Sequence, residues 1–137
     1  MKATSREDTL SLFLQMGRGF KARMERAMPL PFAQCEMLAF IAEHPSPTMR
    51  DLSQHFKITA PSATSMVEGL VRGKCVRRVR DAHDRRSVRL SLTPAGARAA
   101  SAIGKSRKKV LGGIIRGLAP GDRRDLHRIL ERIVKDL

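Results

Sequence analysis

Apolar residues at Leu10, Phe13, Leu14, Gly17, Phe20, Met24, Ala27 and Met28 recur every three or four positions. That spacing predicts an amphipathic helix over residues 9–28, with Arg18, Lys21, Arg23 and Arg26 off the stripe and Pro29 and Pro31 ending it. A second helix fits residues 32–43 with Cys35, Leu38, Ala39, Ile41 and Ala42 inward, and His44-Pro45-Ser46-Pro47 breaks it. Thr48 then caps a short helix to about Phe56, with Asp51 placed to complement the helix dipole. Thr59 caps the next, which tolerates Pro61 in its first turn, buries Ala63, Met66, Val67 and Leu70, and stops at Gly73. Two short helices are thus joined by a tight turn, and the second opens on the hydroxyls Ser62, Thr64 and Ser65.

The period then changes from helix to strand. Val76–Arg80 and Val88–Leu92 read as two strands, the second alternating Val88, Leu90 and Leu92 with Arg89 and Ser91. The polar loop between them, residues 81–87, makes this a hairpin with a basic tip. Thr93-Pro94 opens a long helix to about Arg116, in which Gly104, Gly112 and Gly113 predict a kink or early end near 112. After the break Ala119-Pro120-Gly121-Asp122, the stripe Leu126, Ile129, Leu130, Ile133, Val134 and Leu137 predicts a last helix running to the final residue. Repeats, low-complexity segments and linkers are absent, so residues 1–137 read as one domain.

Charge changes the picture more than composition does. The chain carries 27 Lys plus Arg against 13 Asp plus Glu, a formal net charge of +14, which points to a polyanionic partner. Between residues 72 and 89 the basic residues Arg72, Lys74, Arg77, Arg78, Arg80, Arg85, Arg86 and Arg89 face only two acids, Asp81 and Asp84. A helix-turn-helix followed by a basic hairpin is the layout of a winged helix. One helix enters the major groove of B-form DNA by its N-terminal part, and the hairpin loop reaches the adjacent minor groove, where arginine is favoured. The fold class expected is therefore mainly α with a small β-hairpin wing.

From Ser62 to Gly96 the sequence resembles the MarR family of bacterial regulators. The matching residues are Ser62-Ala63-Thr64-Ser65, Leu70-Val71, Val76, Asp84-Arg85-Arg86, Thr93 and Gly96, in register throughout. The resemblance implies that Ser62–Ser65 lies in the recognition helix and that Asp84 orients Arg86 towards the minor groove. It implies a winged lobe at 31–93, flanked by intertwined dimerisation helices at 1–30 and 94–137. It also implies a small aromatic or phenolic effector held between those helices and the lobe. The sequence departs from the family at Gly73-Lys74-Cys75-Val76, where the glycine comes one place early, and at Gly69, where a basic residue is common.

The expected function is a double-stranded-DNA-binding transcriptional regulator, a repressor acting on a pseudo-palindromic operator as a homodimer. The DNA contacts expected are Ala60, Pro61, Ser62, Thr64, Ser65, Arg77, Asp84, Arg85, Arg86 and Arg89. The alternative is a non-specific architectural nucleic-acid binder. Long apolar stripes on the first and last helices, too large for so small a core to cover, support the dimer on their own. An enzyme is not expected, because no nucleophile–base spacing or phosphate-cradling loop is present. Cofactors and metals are not expected either, since Cys35 and Cys75 form no CxxC pair and His44, His55, His83 and His127 have no ligand spacing. Free cysteines suit a reducing cytoplasm, and Cys35 reads as a core thiol. The opening MKATSRED has no apolar stretch behind its charges, so neither an export signal nor a membrane span is expected.

Overall fold

The computed structural model describes residues 4–137, so the first three residues of the expected 1–30 segment lie outside it. Six helices and one hairpin follow each other as α1 (Arg6–Ala27), α2 (Phe32–Glu43), α3 (Met49–Phe56), α4 (Ala60–Arg72), β1 (Val76–Arg80), β2 (Val88–Leu92), α5 (Pro94–Arg116) and α6 (Pro120–Lys135). Polar caps set most of the starts. Ser5 and Asp8 close a capping box on α1, which begins three residues before the start expected at residue 9; Thr48 and Asp51 close another on α3. Thr59 and Thr93 each accept an N–H from the first turn of α4 and α5, and both helices carry proline near their starts.

The core gathers around α2, which packs against α1, α4, α5 and β2. Cys35, Met37, Leu38, Phe40 and Ile41 are all buried on it, whereas Ala42 is exposed. The single inward stripe expected for α2 missed Met37 and Phe40 for that reason, since a helix contacted from several sides is apolar nearly all round. Leu52 from α3, Ala63, Val67 and Leu70 from α4, Val76 and Leu90 from the hairpin, Ile103 from α5, Met24 from α1 and Met28 just after it complete the buried hydrophobic set. Each large one contributes about 1.5–3 kcal/mol by leaving water. All the buried side chains are apolar, with no charged or polar group among the described residues taken inside.

Two further expectations are corrected. The helix α5 reaches Arg116 as expected, and it runs through Gly112 and Gly113 without the early end. A glycine costs about 1 kcal/mol in a helix, which 23 residues absorb. The last helix ends at Lys135 rather than at Leu137, and none of its side chains is buried.

The segment between α4 and β1 ties three elements together. Lys74 donates its N–H to Val71 O and Cys75 donates to Leu70 O, both at 2.9 Å, closing a Schellman turn. The left-handed residue of that turn is Lys74 (φ 57°), while Gly73 keeps an ordinary φ of −73°. The early glycine therefore leaves a lysine where glycine would be relaxed. Thr93 donates its hydroxyl to Lys74 O and its N–H to Cys75 O, so the start of α5 is bonded to the end of the turn. Gly96 then lies so close that a Cβ would stand 1.8 Å from the Cys75 carbonyl oxygen.

Gly96→Ala must therefore push α5 off the turn. We expect a loss of about 2–4 kcal/mol in urea unfolding, and an unchanged midpoint would show that this contact does not hold the elements together.

Candidate nucleic-acid interface

The turn between α3 and α4 is made by Lys57, another left-handed residue (φ 51°), after which Ile58 donates to Ser53 O and Lys57 to Gln54 O. Thr59 then caps α4, accepting the Ser62 N–H at 3.3 Å and donating its hydroxyl to Ser62 Oγ at 2.9 Å. Ala63, Val67 and Leu70 turn inward, which leaves Ala60, Pro61, Ser62, Thr64 and Ser65 exposed together on the first two turns. The free N–H groups and dipole of that end favour an anion. Further along, Gly69 is half-buried under the Gln34 amide, so no long side chain leaves the helix there.

The hairpin pairs antiparallel from Val76↔Leu92 to Arg80↔Val88. Val76, Arg78 and Arg80 share a face with Leu92, Leu90 and Val88, and Arg78 reaches Glu68 of α4 at 3.9 Å. Arg77 lies on the opposite face and is exposed. In the loop, Asp84 Oδ1 accepts the Arg86 backbone N–H at 3.0 Å and Asp84 O accepts from Ser87 at 3.0 Å. Asp84 thus shapes the chain that carries Arg85 and Arg86, whose side chains are exposed. Among the described residues, Arg77, Arg80, Arg85 and Arg86 have no carboxylate within ion-pair distance.

Arg89 is different. Its Nε stands 2.6 Å from Asp81 Oδ2 and its Nη1 donates to Ser46 O at 2.8 Å. Sequence spacing alone groups it with the other hairpin arginines, because its partner Ser46 lies far away in the chain. The Asp81 carboxyl sits below the usual carboxylate range, held there by the His83 N–H and then by Arg89. Asp51 is lowered too, by the Thr48 backbone and hydroxyl that it caps.

The histidines scattered in sequence are partly collected by the fold. Phe40 stacks on His44 at 3.9 Å and lies 4.3 Å from His55, with the two imidazoles 6.3 Å apart. Among the described residues no group of three or more His, Cys, Asp and Glu could hold a metal ion, and no helix is long and apolar enough to cross a membrane. Cys35 is buried, donates to Leu30 O at 3.4 Å, and has its thiol pKa raised by burial.

The MarR family profile matches residues 28–87, from the approach to α2 through the hairpin loop. A sequence comparison with curated proteins finds no match. Among solved structures, the S. aureus MepR–DNA complex superposes with a TM-score of 0.80 at 19% identity, covering 93% of this chain and 96% of that one. Streptococcus pneumoniae FabT in complex with DNA gives 0.78 at 21%, covering 94% and 92%. MarR gives 0.76 at 20%, covering 99% and 92%. At these identities the likeness is one of fold.

A carboxyl with a depressed folded-state pKa adds stability above its unfolded value of about 4 and loses it as pH falls through the folded value. Asp51 and Asp81 should therefore make stability fall below about pH 4. Asp81→Asn should flatten that acid limb in thermal melts, and an identical limb would mean that the Asp81 carboxylate adds nothing.

Proposed function

Residues 28–87 match the MarR family, and from that premise we propose that the protein is a transcriptional regulator binding specific sites in duplex DNA. The observation that carries the reading is the pairing of an exposed, hydroxyl-bearing start of α4 with a hairpin loop whose Arg85 and Arg86 have no acid partner among the described residues. Ser62, Thr64 and Ser65, with the backbone of Ala60 and Pro61, would meet the major groove, where hydroxyls bond to bases or phosphates. Arg86 would enter the neighbouring minor groove and Arg85 and Arg77 would neutralise phosphates. In MepR and FabT the same fold is seen in complexes with DNA.

The acting species in this reading is a homodimer, with the α1 and α5–α6 segments as its interface. Leu12 and Phe13 of α1 are 63% and 53% exposed, and Ile129, Leu130, Ile133 and Val134 of α6 lie open on one stripe. Apolar patches of that extent on a monomer are covered by a partner. Two-fold symmetry would place two α4 helices about 34 Å apart, facing a pseudo-palindrome. Occupying such an operator makes repression the expected outcome. An open cleft between α1 and α5, lined by Arg23, Arg26, Ser106, Lys109 and Val110, suits a small aromatic effector bearing an acidic group. The cytoplasm is where such a protein would work.

Selection of bound duplexes from a random pool tests the reading. An inverted repeat should emerge, bound with a log–log salt slope of roughly −6 to −9; uniform coating of any duplex would instead favour an architectural role. Arg86→Ala should weaken operator binding by about 1–3 kcal/mol and make the slope shallower by about 1. For the interface, Ile133→Glu should shift the protein from dimer to monomer in sedimentation while leaving its helical signal intact. A variant that stays dimeric would move the interface elsewhere.

A further inference from the structure

Arg89 sits among the hairpin arginines, yet two of its nitrogens are engaged within the protein. Its Nε meets Asp81 Oδ2 at the base of the loop, and its Nη1 meets the Ser46 carbonyl in the α2–α3 loop. Asp81 is itself fixed: Oδ1 accepts from His83, the N–H donates to Ser87 O, and the side chain is only 11% exposed. Ser46 presents its carbonyl from a left-handed conformation (φ 47°), which a serine adopts only when its surroundings hold it. Beside this contact Leu90 donates to Pro47 O at 2.8 Å, and Arg89 bridges Thr48, the cap of α3. The hairpin is thus joined to the helix-turn-helix along its second strand, at the residues that start α3.

We propose that Arg89 and Asp81 form a strut that sets the angle of the wing to α4, making them positioning residues for DNA binding. The inference rests on the DNA-binding reading above. The guanidinium is suited to this because its planar fork bonds two acceptors in different directions, which an ammonium on a flexible stem does not reproduce. Without it, the hairpin is joined to the α2–α3 loop only by the backbone pairing at Leu90 and Thr48. The tip carrying Arg85 and Arg86 would then sample many directions, and ordering it on DNA would cost affinity.

The test uses the full chain and its selected duplex, with binding measured by fluorescence anisotropy across a salt series. Asp81→Asn removes a negative charge near a polyanion, so Coulomb attraction alone predicts tighter binding. The strut predicts weaker binding, by about tenfold, with the salt slope unchanged. Arg89→Lys should bind as poorly as Arg89→Ala, because the charge remains but the fork is lost. Tighter binding by Asp81→Asn, or full rescue by Arg89→Lys with a slope change of about 1 in Arg89→Ala, would make Arg89 a direct phosphate contact and overturn the proposal. Amide hydrogen exchange on the free variants supplies a readout that needs no DNA. Exchange should rise across residues 80–90 while α4 stays protected, and unchanged exchange there would overturn the strut. If the native protein selects no duplex, the DNA-binding reading fails, while the exchange result still decides the strut.

Discussion

The six residues from Leu70 to Cys75 hold the working parts of this protein in one frame. Within them α4 ends and the backbone reverses through a left-handed Lys74, and β1 begins at the residue after them, Val76. The carbonyls of Lys74 and Cys75 then receive the hydroxyl and N–H of Thr93, and the bare Cα of Gly96 rests on Cys75. Helix α4, the hairpin and α5 therefore meet at backbone contact, without flexible side chains between them. Contacts this short allow little adjustment, so moving one element displaces the other two.

The division of labour between apolar and charged residues follows from that frame. The interior is built from Leu, Met, Ile and Val, with no polar or charged side chain buried among the described residues. Stability therefore depends little on the ion pairs, most of which are exposed and contribute little. The exception on the hairpin is Arg89 with Asp81, where one charge is nearly covered and the guanidinium reaches a carbonyl in another loop. Among the described residues, Arg77, Arg80, Arg85 and Arg86 have no carboxylate partner and stay free to meet a polyanion. A surface of that sign also raises encounter rates with any polyanion before specific contacts form.

Element type was legible from period and caps. The strand limits, the α2, α4 and hairpin boundaries and the caps Thr48, Thr59 and Thr93 all follow from local rules, because a cap hydroxyl and its N–H lie within one turn. The Asp84–Arg85–Arg86 loop and the hydroxyls of α4 were legible for the same reason, each being a short stretch of contiguous chain. The burial of α2 on several sides was not, since it depends on how many neighbours a helix has. Local rules carried α5 to Arg116 but did not settle whether its glycines would end it early, which depends on the length of the helix.

By itself the sequence determined a mainly helical chain with one basic hairpin, the order of its parts and the sign of its net charge, because these are summed from local preferences and simple counts. Tertiary structure alone decided that Arg89 braces Ser46 across 43 residues and that a side chain at Gly96 would meet the Cys75 carbonyl. Each of those depends on which distant atoms come within a few ångströms, and no local pattern encodes that distance.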